Sequence, residues 1–280
     1  MKMRKKLFIT MMALVTIVTG VRASNEIVIC GVTITDELAA QGNLVPMLNE
    51  MEDVTATGSI TFNVASQTLV LDNAEIVYTP QSEAQVMHFA TWTRNFTIQL
   101  KGTNKLINAY TGYADAIIIP GVSGINITIT GDGSLEVSSL NWYAIALRGG
   151  KLTIDNTTVK FSGDIAYNSG VGGALYIKKS NVTATAIHSL SAIELTGCNI
   201  VQPEGAFIES EECNEQVSYS INKNGSSADI VISNGSSNIE GVNCESITDK
   251  RFYTIDGMTL PDKPTQTGVY IQNGRKVVIK

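Results

Sequence analysis

The sequence predicts an all-β chain: a right-handed parallel β-helix with a capping segment at its N-terminus and a small β unit at its C-terminus. Three observations carry that reading. First, one short pattern (Ala, aliphatic, any residue, aliphatic) recurs as Ala116 to Ile119, Ala144 to Leu147, Ala174 to Ile177 and Ala192 to Leu195, at intervals of 28, 30 and 18 residues. Second, each copy is followed by a short turn and another alternating strand: "PGVSG" then "INITI", "RGG" then "KLTI", "KKS" then "NVTAT", "TG" then "CNIV". Third, these strands are four to six residues long with period two, and Gly, Asn, Thr and Ser punctuate them where helix formers are sparse. If each strand lies beside its copy one repeat away, the aliphatics stack into columns and bury one another, as in a solenoid. Handedness is expected from the general preference of parallel crossovers.

The elements follow in order. Residues 1–23 read as a secretory signal: a basic start, Met1-Lys2-Met3-Arg4-Lys5-Lys6, an apolar run from Leu7 to Val18, and in Val21-Arg22-Ala23 small residues at the two positions a signal peptidase reads. The run is too short to span about 30 Å of hydrocarbon. Residues 24–57 are expected to cap one end, since an open end would expose unpaired strand edges; the only stretch with helical character, "DELAAQGNLVPMLNEMED", lies here. The β-helix is expected over 58–208. "QVSYSINKNGSSADIVIS" reads as a hairpin turning at "NKNG" that closes the other end over 209–232, "NGSSNIEGVNCESITDK" as a linker over 233–250, and 251–280 as a β tail.

Charge narrows the partners. The 23 leading residues hold five basic groups and no acidic one, so the rest of the chain carries 15 of the 20 basic residues against all 26 acidic ones, a net charge of −11. Nucleic acid and anionic membranes need clustered Lys and Arg, which are not seen. No later segment is apolar enough to insert in a membrane, and a monomer is expected. Of the four cysteines, Cys30, Cys198, Cys213 and Cys244, the nearest pair is Cys198 and Cys213; a bridge and buried thiols are both open. No spacing suggests a metal knuckle, and no metal site is assigned.

Catalytic patterns are not visible. The residues after successive "LTI"-type strands, Gln99, Thr130 and Asp155, form no acidic ladder. Asp115 precedes one Ala strand and Tyr143 another, and neither His88 nor His188 has a recognisable partner. Thr97, Thr128 and Thr153 are expected to form an outward column. The aromatic residues say more. Tyr110 and Tyr113 precede Ala116, Trp142 and Tyr143 precede Ala144, and Tyr167 precedes Ala174. Loops inserted at one point of a repeat emerge at one edge, so these five rings are expected to gather there as a sugar-facing strip.

Two resemblances add to this. "FYTIDGM" followed by "TGVYIQNGRKVVIK" resembles the C-terminal tails of exported proteins of Gram-negative anaerobes, related to type IX sorting signals; it covers about 40 residues and implies the envelope or cell surface. The body from about Gly58 to Pro203, with its "AIxL–G–LTI" grammar and the opening "GSITFNVASQTLVLDNAEI", resembles the carbohydrate-binding parallel β-helix family related to pectate lyases. That family implies binding of plant-type or acidic polysaccharide, sometimes with calcium; no other cofactor is expected. The expected function is therefore an exported, non-catalytic carbohydrate-binding or adhesin-like protein. A polysaccharide lyase or hydrolase of β-helix fold, and a structural surface protein binding another protein, are the alternatives.

Overall fold

The computed structural model describes residues 27–89, 95–121, 124–167, 169–213 and 216–235, and within the C-terminal unit 252–253, 259–260, 264, 268–272 and 275–279. The expected signal at 1–23 and nearly all of the expected linker lie outside them. The chain divides into two compact units at Ser236/Ser237. The first is all-β among its described residues except for two four-residue helices, Asp36–Ala39 and Val45–Leu48. In the second, Phe252–Tyr253, Thr259–Leu260, Gly268–Gln272 and Arg275–Ile279 form an antiparallel sheet.

Three parallel ladders make the first unit, and the chain visits them in a fixed cycle. Ladder 1 stacks Met87–Phe89, Ile117–Ile119, Ile145–Leu147 and Ile165–Ala166. Ladder 2 stacks Asn95–Lys101, Asn126–Thr130, Lys151–Asp155, Ala174–Lys178 and Ala192–Thr196. Ladder 3 stacks Thr103–Asn108, Ser134–Ser139, Thr158–Ser162 and Asn181–Ala184. The strand Thr68–Tyr78 starts both of the last two: its first half pairs with Asn95–Lys101 and its second with Thr103–Asn108. At the N-terminal end Ile27–Ile29 closes ladder 1 by antiparallel pairing with Met87–Phe89, and Val54–Asn63 pairs antiparallel with Thr68–Tyr78.

Period two decides what is inside. Phe96, Ile127, Leu152 and Leu175 are in register, as are Ile98, Ile129, Ile154 and Ile177, and all are buried. They share one core with Ile117, Ile119, Ile145 and Leu147 of ladder 1 and Leu135, Val137, Val159 and Phe161 of ladder 3. Apolar residues removed from water by their neighbours one strand away are the main source of stability in such a stack. The outward Thr97, Thr128 and Thr153 stand in one column as expected, preceded by Thr68 and followed by Tyr176. Ladder 3 carries Glu75, Lys105, Glu136 and Lys160 in succession on its outward side. Opposite charges on neighbouring strands favour this register, since a slip would separate them; the Lys160 Nζ to Glu136 Oε1 contact is 2.9 Å.

On leaving ladder 2 the chain bends through one residue of positive φ: Asn73, Gly102, Gly131, Asn156, Lys179 and Gly197, with φ of 47°, 62°, 122°, 50°, 44° and 65°. Asn and Gly enter this region at little cost. Just past the bend, small polar side chains satisfy backbone that the turn leaves unpaired inside. Asn104 accepts from the Ala74 N–H at 2.8 Å and donates to the Ser134 carbonyl at 3.1 Å; Thr157 donates to the Gly133 carbonyl at 2.9 Å. Ser180 Oγ accepts from the Thr157 N–H at 3.2 Å, and Cys198 Sγ from the Ser180 N–H at 3.3 Å. Cys198 is thus a buried free thiol with a structural partner.

Two expectations about register need correction. The four Ala strands do not form one column. Those at Ala116 and Ala144 enter ladder 1, whereas Ala174 and Ala192 start ladder 2 strands, with Lys151 opposite Ala174 and Ala174 opposite Ala192. The intervening ladder 1 strand is only Ile165–Ala166, followed by an isolated bridge from Ile165 to Ile187. A full cycle is completed in 20 residues there, so the recognisable pattern moves one ladder on. The hairpin turning at "NKNG" also differs. Gln216–Asn222 pairs with Phe207–Cys213, while Ile230–Ser233 pairs antiparallel with Asn181–Ala184 and Asn199–Gln202. Ile230 and Ile232 are fully buried, and closing ladder 3 over the core is what buries them.

Candidate functional site

A concavity lies on the outward side of ladder 1. The outward column there is His88, Ile118, Ala146 and Ala166, and the alanines leave room beneath the loops. Ala146 forms the floor of a cleft of about 190 Å3. Tyr113, Trp142, Tyr143 and Tyr167 line it, together with Glu83, Asp115 and Arg148. The volume lies below the roughly 300–1,000 Å3 typical of pockets that enclose small molecules, so this is a small cleft.

Four of the five expected aromatic residues therefore meet. Tyr113 and Trp142 pack edge to face with centroids 5.0 Å apart, and Trp142 and Tyr143 lie 4.9 Å apart at 36°. Tyr143 then meets the His188 ring at 6.1 Å. The row runs from Tyr113 (70 % exposed) to half-buried Tyr143. Tyr110 does not line the cleft. Its ring packs beside Gly112, where a Cβ would collide with it. Tyr167 reaches the cleft from an unexpected direction: it follows the ladder 1 strand Ile165–Ala166 and precedes a ladder 2 strand, rather than standing in the loop before an equivalent Ala strand. Trp92 lies outside the described residues.

The loop carrying Tyr113 and Asp115 is held from below and from the next repeat. Asn108, 1 % exposed, donates to the Ala84 and Asp115 carbonyls at 2.8 Å each and accepts from the Tyr110 N–H at 3.1 Å. Ser139 Oγ donates to the Ala114 carbonyl at 2.6 Å, and Asn141 to the Thr111 carbonyl at 2.6 Å. Rings presented on a pinned loop lose little freedom when a ligand arrives.

The charged residues of the cleft were not singled out as its members by sequence. Asp115 stands one repeat before Tyr143 in register, two residues ahead of its ladder 1 strand, and its side chain is only 5 % exposed. Arg148 follows the next ladder 1 strand, 42 % exposed, and reaches Asp115 Oδ2 from Nη2 at 3.4 Å. Among the described residues Asp115 Oδ1 has no hydrogen-bond partner. Burial pushes the Asp115 carboxyl from its ordinary 3.8 to about 6; Arg148 opposes that shift and Glu83 adds to it. The Tyr143 hydroxyl is raised by burial and by the charges of Asp164 and Asp115. His88 is pushed down, first by burial and then by the Arg148 charge.

An acid whose folded pKa lies above its unfolded one binds protons more readily when folded. The folded state therefore keeps its full stability below about pH 4 and loses some as pH rises through about 6. Asp115→Asn removes that loss. Its melting temperature relative to wild type is expected to climb between pH 4 and pH 7.5; a pH-independent difference would mean that Asp115 titrates alike in both states.

His188 does have partners, contrary to the sequence reading. Its Nε2 lies 3.5 Å from Asp164 Oδ2 and its Nδ1 3.1 Å from Ser189 Oγ. Ser189 follows His188 directly in the chain, so its contact is a local one. Among the described residues no group of three His, Cys, Asp or Glu side chains is placed to hold a metal ion, and no helix is long and apolar enough to cross a membrane. Compared with known protein families, curated proteins and solved structures, the chain matches none.

Proposed function

We propose that this chain is an exported, non-catalytic carbohydrate-binding protein whose repeats wind as a right-handed parallel β-helix and whose ladder 1 cleft takes a sugar ring of a surface polysaccharide. The observation that carries the reading is the meeting of Tyr113, Trp142, Tyr143 and Tyr167 over a small-residue floor, beside a carboxylate and a guanidinium. Amphipathic rings offer apolar faces to the C–H side of a sugar, and neighbouring polar groups take its hydroxyls. The fixed cycle through three parallel ladders around one core supports the β-helix, and parallel crossovers favour the right hand. The signal-like start and the sorting-like tail support export to the cell surface.

The alternative of a polysaccharide lyase or hydrolase is favoured by one observation, the Asp115 carboxyl held near neutrality in a cleft with Arg148, which suits a general acid or base. A glycan panel on the full chain, with and without calcium, tests both. Binding without product release, lost in Trp142→Ala/Tyr143→Ala at an unchanged melting temperature, is the expected result. Release of shortened or unsaturated products would establish the enzyme. A double variant that binds like wild type, or that unfolds, would mean the rings only cover the flank.

A further inference from the structure

The Asp115 and Arg148 pair is under-satisfied on both sides. Charge-assisted N–H to carboxylate bonds usually measure about 2.7–2.9 Å, and Arg often meets a carboxylate through two of them. Here a single contact of 3.4 Å joins the two, Asp115 Oδ1 is buried without a partner among the described residues, and the Arg148 side chain is 42 % exposed. A buried carboxylate oxygen left unpaired costs free energy unless something completes it. Both residues line the same cleft as Trp142 and Tyr143.

We propose that this pair is the polar half of the sugar seat, and that the sugar is neutral: adjacent hydroxyls of a ring stacked on Trp142 and Tyr143 are held by the Asp115 carboxylate and the Arg148 guanidinium. The assignment rests on the glycan reading of the cleft. A hydroxyl both donates and accepts, so it gives its proton to the Asp115 carboxylate while its oxygen accepts from Arg148, whose loose contact yields and opens the buried carboxylate to the sugar. Acidic sugars fit poorly. Among the described residues Arg148 is the one cation lining the cleft, it is already shared with Asp115, and Glu83 adds a second negative charge to the lining. The net charge of the site and of the chain therefore both oppose a uronate.

The test is calorimetric titration of the full chain at pH 7.5 with cello-, xylo- and mannohexaose as neutral probes and hexagalacturonate as the acidic one. Wild type is expected to bind at least one neutral hexasaccharide and to bind hexagalacturonate at least about tenfold more weakly. Asp115→Asn and Arg148→Gln are each expected to weaken the neutral ligand about tenfold to a hundredfold, the usual effect of losing a hydrogen bond to a charged group; Asp115→Asn does so without lowering the melting temperature, whereas Arg148→Gln also lowers it somewhat at this pH by leaving the buried Asp115 carboxylate without its counter-charge. Neutral binding that Trp142→Ala abolishes but that both polar variants retain would overturn this proposal and leave the glycan reading standing. Preferential binding of hexagalacturonate, abolished in Arg148→Gln, would also overturn it. Failure of wild type to bind any of the four would remove the glycan reading itself, and this proposal with it.

Discussion

Ile145→Asp is expected to lower the melting temperature by about 10 °C or more, or to prevent folding outright. Ile145 is 1 % exposed and stands between Ile117 and Ile165 in ladder 1, facing the shared core. An ionised carboxylate there has no partner and no water, a penalty of more than about 4 kcal/mol, and one kcal/mol moves the transition of a chain this long by about 2–4 °C. Thr153→Ser is the matched control. Thr153 points away from the core on ladder 2, opposite Thr128 and Tyr176, where its neighbours cover it to 8 % exposure, and it loses one methyl group; its change is expected to stay within about 1 kcal/mol. Thermal melts of both check the assignment. Equal effects would mean that the inward and outward sets are exchanged, as a one-residue slip would produce.

Gly131→Ala is expected to cost more than about 3 kcal/mol, for two reasons that add. Its φ of 122° lies where an L side chain is strained, and a Cβ there would run into the Leu100 backbone carbonyl of the preceding repeat. Gly124 separates the two causes. Its φ is 98°, yet a Cβ would meet nothing within 4 Å. Gly124→Ala should therefore show backbone strain alone, on the order of 1 kcal/mol. Denaturant melts compare the pair. A Gly131 variant no worse than the Gly124 variant would contradict the close stacking of successive bends.

Much of this arrangement was legible in the sequence because period-two burial writes itself into residue type. Leu152 and Ile154, or Leu175 and Ile177, alternate with polar neighbours, and their inward placement followed directly. The ladder to which each strand belongs was harder to read, because Ala-aliphatic-x-aliphatic satisfies ladder 1 and ladder 2 alike. A more specific signal was present. Gly149-Gly150-Lys151-Leu152 and Gly172-Gly173-Ala174-Leu175 share a Gly pair followed by the strand, and the Ala174 N–H indeed donates to the Gly150 carbonyl. A Cβ on Gly173 would meet the Gly149 and Gly150 backbone, so the close stacking of the two turns requires glycine at 173. That spacing aligns the strands by the turn that feeds them, whereas the Ala pattern aligns them only by what they bury.

The aromatic cluster was partly legible for a similar reason. Tyr113, Trp142 and Tyr143 enter the cleft from loops ahead of ladder 1 strands, where insertions at one point of a repeat converge. Tyr167 was placed there on a mistaken equivalence and reaches the cleft through the shortened repeat instead. Asp115 and Arg148 were missed as a pair because they lie 33 residues apart and occupy different points of the repeat, before and after a ladder 1 strand. Only the stacking of one repeat on the next brings them together.

Tryptophan emission tests the central claim most directly. The chain has two tryptophans, Trp92 and Trp142, so Trp92→Phe leaves Trp142 as the only indole. A saccharide that binds the full chain by calorimetry should shift and saturate the Trp142 emission of that variant over the same concentration range, because the ring stacks on it. Emission that stays constant while calorimetry shows the site filling would place the ligand elsewhere and contradict the account.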